Sequence, residues 1–128
     1  MSKVKFLFLV FFLVAGTCAA LMPSPEIRWE STNLALGKIA QHQPITLNYH
    51  FENQGQAALL IQDAKGSCGC TQIEYPKTPL KAGEKGLIKA TFNAASIGQF
   101  HKTITIRTNS PEQPSVTLSF QGEVVAQK

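Results

Sequence analysis

The sequence predicts an all-β fold, an antiparallel β-sandwich of about seven short strands. Three observations predict it. Apolar and polar residues alternate in one run after another. Turn-forming residues separate the runs. Downstream of residue 20 no stretch keeps the three-to-four-residue spacing of a helix. A period of two gives each strand one buried and one wet face.

The elements follow in order. After a start that contains Pro23 and Pro25, residues 26–30 read as the first strand, with Ile27 and Trp29 on one side. Over residues 44–53, Ile45, Leu47, Tyr49 and Phe51 share a face against Thr46, Asn48, His50 and Glu52. Asn53-Gln54-Gly55-Gln56 closes the link to residues 57–64, where Leu59 and Ile61 point one way. Pro76 and Pro79 bracket an irregular segment. Proline offers no ladder donor, so this segment is an edge strand or a loop. Lys81-Ala82-Gly83-Glu84 turns into residues 86–93, with Ile88, Ala90 and Phe92 on one face. Residues 98–109 place Phe100, Ile104 and Ile106 opposite His101, Thr103, Thr105 and Arg107. Asn109-Ser110-Pro111-Glu112 leads into residues 115–125, with Val116, Leu118, Phe120 and Val124 inward. The architecture is of immunoglobulin type. The two half-cystines of an antibody domain are missing from their strands, so the term describes a shape and not kinship.

The first 20 residues are read separately. Lys3 and Lys5 form a basic head, residues 6–15 are continuously apolar (FLFLVFFLVA), and Gly16, Thr17, Cys18, Ala19 and Ala20 are mostly small. This is the layout of a secretory signal peptide, with cleavage expected after Ala19 or Ala20. The apolar run is shorter than the roughly 20 residues of a membrane-spanning helix. Two alternatives stand beside it, an uncleaved N-terminal anchor and a lipoprotein signal ending at Cys18. The second would give the chain its one expected link to a membrane. Such signals usually carry Gly, Ala or Ser before the cysteine, and Thr17 stands there. The expected domains are therefore a signal peptide, 1–20, and a β-sandwich, 21–128.

Export alters the charge. The chain of 128 residues carries a formal +4, and loss of the first 20 leaves 108 residues and +2. No cluster of Lys and Arg remains, which excludes the electrostatic footprint of a nucleic-acid binder. A chain of this size still buries roughly two-thirds of its unfolded surface. The compartment implied is oxidising, a periplasm or the cell exterior. Two cysteines remain there, Cys68 and Cys70.

The run Ser67-Cys68-Gly69-Cys70-Thr71 is followed by Pro76, Pro79 and Ala82-Gly83-Glu84. Then come Ile88-Lys89-Ala90-Thr91-Phe92, Gly98-Gln99-Phe100-His101-Lys102, Thr108-Asn109-Ser110 and Leu118-Ser119-Phe120-Gln121-Gly122-Glu123-Val124. Upstream stands Tyr49-His50-Phe51-Glu52-Asn53-Gln54-Gly55. This series, over residues 30–125, resembles the bacterial domain-of-unknown-function family 1573. The resemblance implies a secreted or periplasmic immunoglobulin-like domain. Such a domain is similar to Hydin, major sperm protein and pilus-chaperone types, which mostly bind other proteins or act as scaffolds. It supplies no catalytic residue.

Cys68 and Cys70 admit four readings. As a disulfide they close so short a loop that the chain-entropy gain is only about 1.5 kcal/mol, against about 3 for a 15-residue loop. Such a bond is more plausible as a redox-active or incidental feature than as a staple. As thiolates they are soft ligands for copper or zinc. A zinc site needs about four ligands. With strands alternating in direction, the cysteine loop, His42 and His101 fall at one end of the sandwich, whereas His50 points outward in mid-strand. As a partner-facing thiol pair they exchange disulfides, with Lys65 as a weak positive neighbour. As plain structure they are two small sulfurs beside a glycine turn.

No paired acids, phosphate loop, Gly-x-Ser-x-Gly or His-Glu-x-x-His run occurs in the chain. The expectation is a protein that is not an enzyme and has no cofactor. It is an exported envelope module that binds another envelope protein or serves as structure, with the strand at residues 26–30 as its docking edge. The alternative is a periplasmic copper or zinc protein built on Cys68 and Cys70.

Overall fold

The structure is a computed structural model and describes residues 22–127. The expected signal peptide and Cys18 lie outside the described residues. Among these there is no helix; eight strands form two four-stranded sheets. In chain order they are β1 (Ile27–Trp29), β2 (Asn33–Ala40), β3 (Ile45–Asn53), β4 (Ile61–Gly66), β5 (Thr71–Glu74), β6 (Lys85–Phe92), β7 (Gly98–Thr108) and β8 (Ser115–Val125). The first sheet has the order β1-β3-β6-β5 and the second β2-β8-β7-β4.

The alternating runs fold as their period dictates. Leu47, Tyr49 and Phe51 of β3 are buried, as are Ile88, Ala90 and Phe92 of β6. From the second sheet, Ile104 and Ile106 of β7 and Leu118, Phe120 and Val124 of β8 face them, all at 1% exposure or less. The rings of Phe92, Phe100 and Phe120 pack at one end of this core, with centroids 4.7–6.0 Å apart. Trp29 packs on Phe51 at the other, 5.0 Å between centroids.

The all-β sandwich stands as expected, with eight strands against the expected count of about seven. The added β2 pairs in parallel with β8, so the sandwich is not wholly antiparallel. Between Ala35 and Lys38 its register shifts, and Gly37 takes a positive φ of 65°. This bulge moves the inward set from Leu34 and Leu36 to Ile39, so no single period runs through the strand. Gly37 also directs its carbonyl at Gly122, where a Cβ would lie 2.6 Å from that oxygen and 3.0 Å from the Phe100 ring. A side chain at Gly122 would push the bulge and the ring away.

The run expected over residues 57–64 begins as a strand at Ile61 and not at residue 57. Leu59 instead exchanges backbone hydrogen bonds with Leu80, at 2.8 and 2.7 Å. The Asn109 side chain meanwhile accepts from Leu60 N and donates to Ala58 O. The bridge to Leu80 takes Leu59 out of the ladder, while Asn109, directly after β7, keeps Ala58 and Leu60 beside that strand. The Pro76–Pro79 segment is a loop, and the edge strand before it is β5.

Candidate functional site

β4 is the outer strand of the second sheet and β5 the outer strand of the first, on the same side of the sandwich. The chain crosses between them through Ser67, Cys68, Gly69 and Cys70. Two pins hold the crossing. Ser67 N donates to Thr103 O at 2.9 Å, and Thr103 N donates to Ser67 Oγ at 3.1 Å. At the far end Asn93 N donates to the Cys70 carbonyl at 3.0 Å. Cys68 and Cys70 are joined by a disulfide, with 5.3 Å between their Cα atoms. Both are half-buried, and Gly69 between them is exposed with open space where a side chain would stand. The hydroxyl of Thr71 lies 4.0 Å from the Cys68 sulfur and 3.9 Å from the Cys70 sulfur.

Cys70 also lines a hollow of about 170 Å³. Phe92 and Phe100 give it an apolar base. Ala95, Ser96 and Ile97 of the β6–β7 link form one wall, and Lys102 of β7 lines it as well. Ile97 is 60% exposed, an unusual state for a large aliphatic side chain. The link is shaped by Ala94, which is fully buried at a φ of 51°.

The histidines are placed as follows. His42 sits in the β2–β3 turn, exposed, at a φ of 63°, and its N–H donates to Ala94 O at 2.9 Å. The β2–β3 turn, the β6–β7 link and the cysteine loop therefore share one end of the molecule. They are joined through His42–Ala94 and Asn93–Cys70. His101 lies on the outer face of β7, opposite Gln121, and lines a separate groove with Lys38, Phe100 and Glu123. His50 is exposed in mid-β3. Among the described residues no group of three or more His, Cys, Asp and Glu comes together that could hold a metal ion. While the sulfurs are bonded to each other they are not thiolate ligands, because metal binding needs the deprotonated thiol.

Lys102 and Thr71 join the site without having been singled out as its residues. Thr71 was visible only as the end of a motif. Lys102 too ended a quoted motif, but nothing tied it to the cysteines, because its approach depends on the pairing of Ser67 with Thr103 across 36 residues.

The sequence matches none of the curated proteins. Solved structures of the same fold include a protein of unknown function from Porphyromonas gingivalis W83. It is 17% identical, with a TM-score of 0.66 over 85% of this chain and 50% of that one. The chain thus spans half the length of that protein. The ASH / PapD-like domain 7 of human CEP192 is 10% identical, with a TM-score of 0.64 over 88% of this chain and 94% of that one. The YadV chaperone is 17% identical, with a TM-score of 0.57 over 77% of this chain and 51% of that one. These likenesses establish a PapD-like, immunoglobulin-type fold. The profile of the family described as protein of unknown function (DUF1573) matches residues 27–124, the whole span from β1 to the end of β8, and the chain belongs to that family.

Proposed function

We propose that the protein is an exported module of the bacterial envelope that binds another protein by its sheet edges, and is not an enzyme. The observation that carries this reading is the position of β1 and β2. Each is the outer strand of its sheet, and both lie on the side away from the cysteine crossing. Glu30 N donates to His50 O, and Gln54 N donates to Glu26 O. By the alternation of an antiparallel ladder, the even-numbered residues of this stretch bond to β3. Ile27 and Trp29 turn their backbone groups outward. The Ile27 carbonyl is capped by Gln113 Nε2 at 2.8 Å. β2 adds eight residues of edge that pair on one side with β8.

An extended segment can add to such an edge through main-chain hydrogen bonds. That fold relatives of this chain include a chaperone supports the reading. The N-terminal signal layout supports export.

Two measurements test it. Cell fractionation should find the processed chain outside the cytoplasm. A partner captured from envelope extract should slow amide exchange at Ile27–Trp29 and Asn33–Ala40. A partner that leaves both strands unprotected would sink the edge reading.

A further inference from the structure

We propose that Cys68–Cys70 is a thiol–disulfide exchange site for exposed dithiols on other polypeptides, with Cys70 the attacked sulfur and Thr71 and Lys102 its assisting groups. This goes beyond the binding reading and does not rest on it.

The first argument is that the crossing does not need the bond. Ser67–Thr103 and Asn93–Cys70 already hold both ends of the loop by hydrogen bonds. A link between residues two apart constrains the unfolded chain much less than a long loop would. The second argument is access. Both cysteines are half-buried and the residue between them is exposed without a side chain. Cys70 also packs against the core, so a partner thiolate reaches its sulfur through the hollow that Cys70 lines. Accessible disulfides are the labile kind, whereas structural ones resist reduction by the glutathione pool.

The third argument is the setting. Lys102 and Cys70 line the same hollow. An ammonium there favours an incoming thiolate. The Thr71 hydroxyl is almost equally distant from the two sulfurs, so it can donate to whichever one departs with charge. Phe92, Phe100 and Ile97 offer an apolar seat for a side chain beside the partner's cysteine.

The exchange balances as follows. One partner thiolate attacks the Cys70 sulfur. The Cys68–Cys70 bond breaks, and Cys68 leaves as a thiolate that takes a proton. The partner's second thiolate then attacks its own sulfur in the mixed disulfide. Cys70 leaves and is protonated. Two electrons and two protons pass to the pair, and the partner ends with a disulfide.

The test begins with the unaltered chain in glutathione buffers of rising reduced-to-oxidised ratio. Free thiols are alkylated and counted by mass, and far-ultraviolet dichroism follows the fold. The pair should be half-reduced, with the fold intact, in a buffer that leaves structural disulfides oxidised. Next, a reduced synthetic peptide with two cysteines beside a leucine is added to the oxidised, unaltered chain, and the rate of exchange is followed. The oxidised form of the same peptide is added to the single-cysteine variants, where the remaining thiolate opens the peptide disulfide and one peptide thiol leaves. Cys68→Ser should accumulate that mixed disulfide at Cys70, and Cys70→Ser should accumulate little at Cys68. Lys102→Ala should slow exchange several-fold at low salt, and the difference should shrink as salt screens the charge.

The proposal is overturned if the unaltered pair stays oxidised in that buffer. It is equally overturned if the mixed disulfide forms preferentially at Cys68, or if Lys102→Ala exchanges at the original rate at every salt concentration. Partner capture by a Cys68→Ser/Cys70→Ser chain separates this outcome from the fate of the edge-binding reading.

Discussion

The phenol of Tyr49, on β3 of the first sheet, donates to the backbone carbonyl of Ser119, on β8 of the second, at 2.8 Å. This bond crosses the core and ties the two layers at mid-height. Tyr49 is 1% exposed, so its hydroxyl depends on that partner. Tyr49→Phe keeps the ring and loses the bond, at a cost of about 1 kcal/mol. Chemical denaturation at neutral pH measures it.

The same residue sets an alkaline limit. Burial pushes the Tyr49 phenol up to about 12 from an ordinary value of 10.0. Between these values the unfolded chain releases the proton and the folded chain keeps it. The stabilising contribution is therefore complete below about pH 10 and is lost as pH rises toward 12. The melting temperature should fall more steeply across that window in the unaltered protein than in Tyr49→Phe. Parallel curves would contradict the assignment.

Asn53 is fully buried and uses its whole amide. Oδ1 accepts from Gly55 N at 3.0 Å and Glu26 N at 3.3 Å. Nδ2 donates to Ala57 O at 2.8 Å and Leu80 O at 3.0 Å. Asn53→Leu leaves Gly55 N, Glu26 N and Ala57 O without this partner, while Leu80 O keeps its bond from Leu59 N, and should cost roughly 3 kcal/mol. Asn53→Asp keeps the acceptor and loses both donors, so its stability should improve as acid neutralises the carboxyl. Urea titrations at two pH values distinguish the variants.

Two glycines should respond oppositely to alanine. A Cβ on Gly55 would collide with the backbone of Ser24, Pro25 and Glu26, which has no freedom to yield. A Cβ on Gly69, in the cysteine loop, would meet nothing within 4 Å. Gly55→Ala should be strongly destabilising. Gly69→Ala should stay within about 0.5 kcal/mol of the parent. Thermal melts of the pair provide the comparison.

Gln113 holds the β1 edge from the β7–β8 turn. Its N–H donates to Ser110 Oγ, Ser110 Oγ–H donates to Pro25 O, and Gln113 Nε2 donates to Ile27 O. Gln113→Ala removes the last bond. Amide exchange should quicken at Ile27–Trp29 while β7 and β8 remain protected. Unchanged exchange at β1 would show that the edge is held by other contacts.

Where one period ran uninterrupted, the sequence was readable. β3, β6, β7 and β8 bury every second residue, and their limits were found to within a residue or two. β2 escaped because Gly37 breaks its period and its partner, β8, lies far along the chain. β5 was expected only as an edge strand or loop around Pro76 and Pro79, because four residues between Cys70 and Pro76 carry too little pattern to fix its limits. At the site, strand order put the cysteine loop, His42 and His101 at one end of the sandwich; His42 stands there, whereas His101 lies on the outer face of β7 beside a separate groove. The hollow was not legible, since it depends on the left-handed turn at Ala94 and on Lys102 arriving from another strand. Such meetings are written in pairing and not in spacing.

The parallel pairing of β2 with β8 has a consequence in time. β8 is an inner strand of its sheet, yet it is the last of the eight to be made. Until it arrives, β2 has no ladder and β7 lacks one of its neighbours. Closure is therefore deferred until β8 has been made, and a chain cut before β8 would lack the middle of a sheet rather than fray its margin.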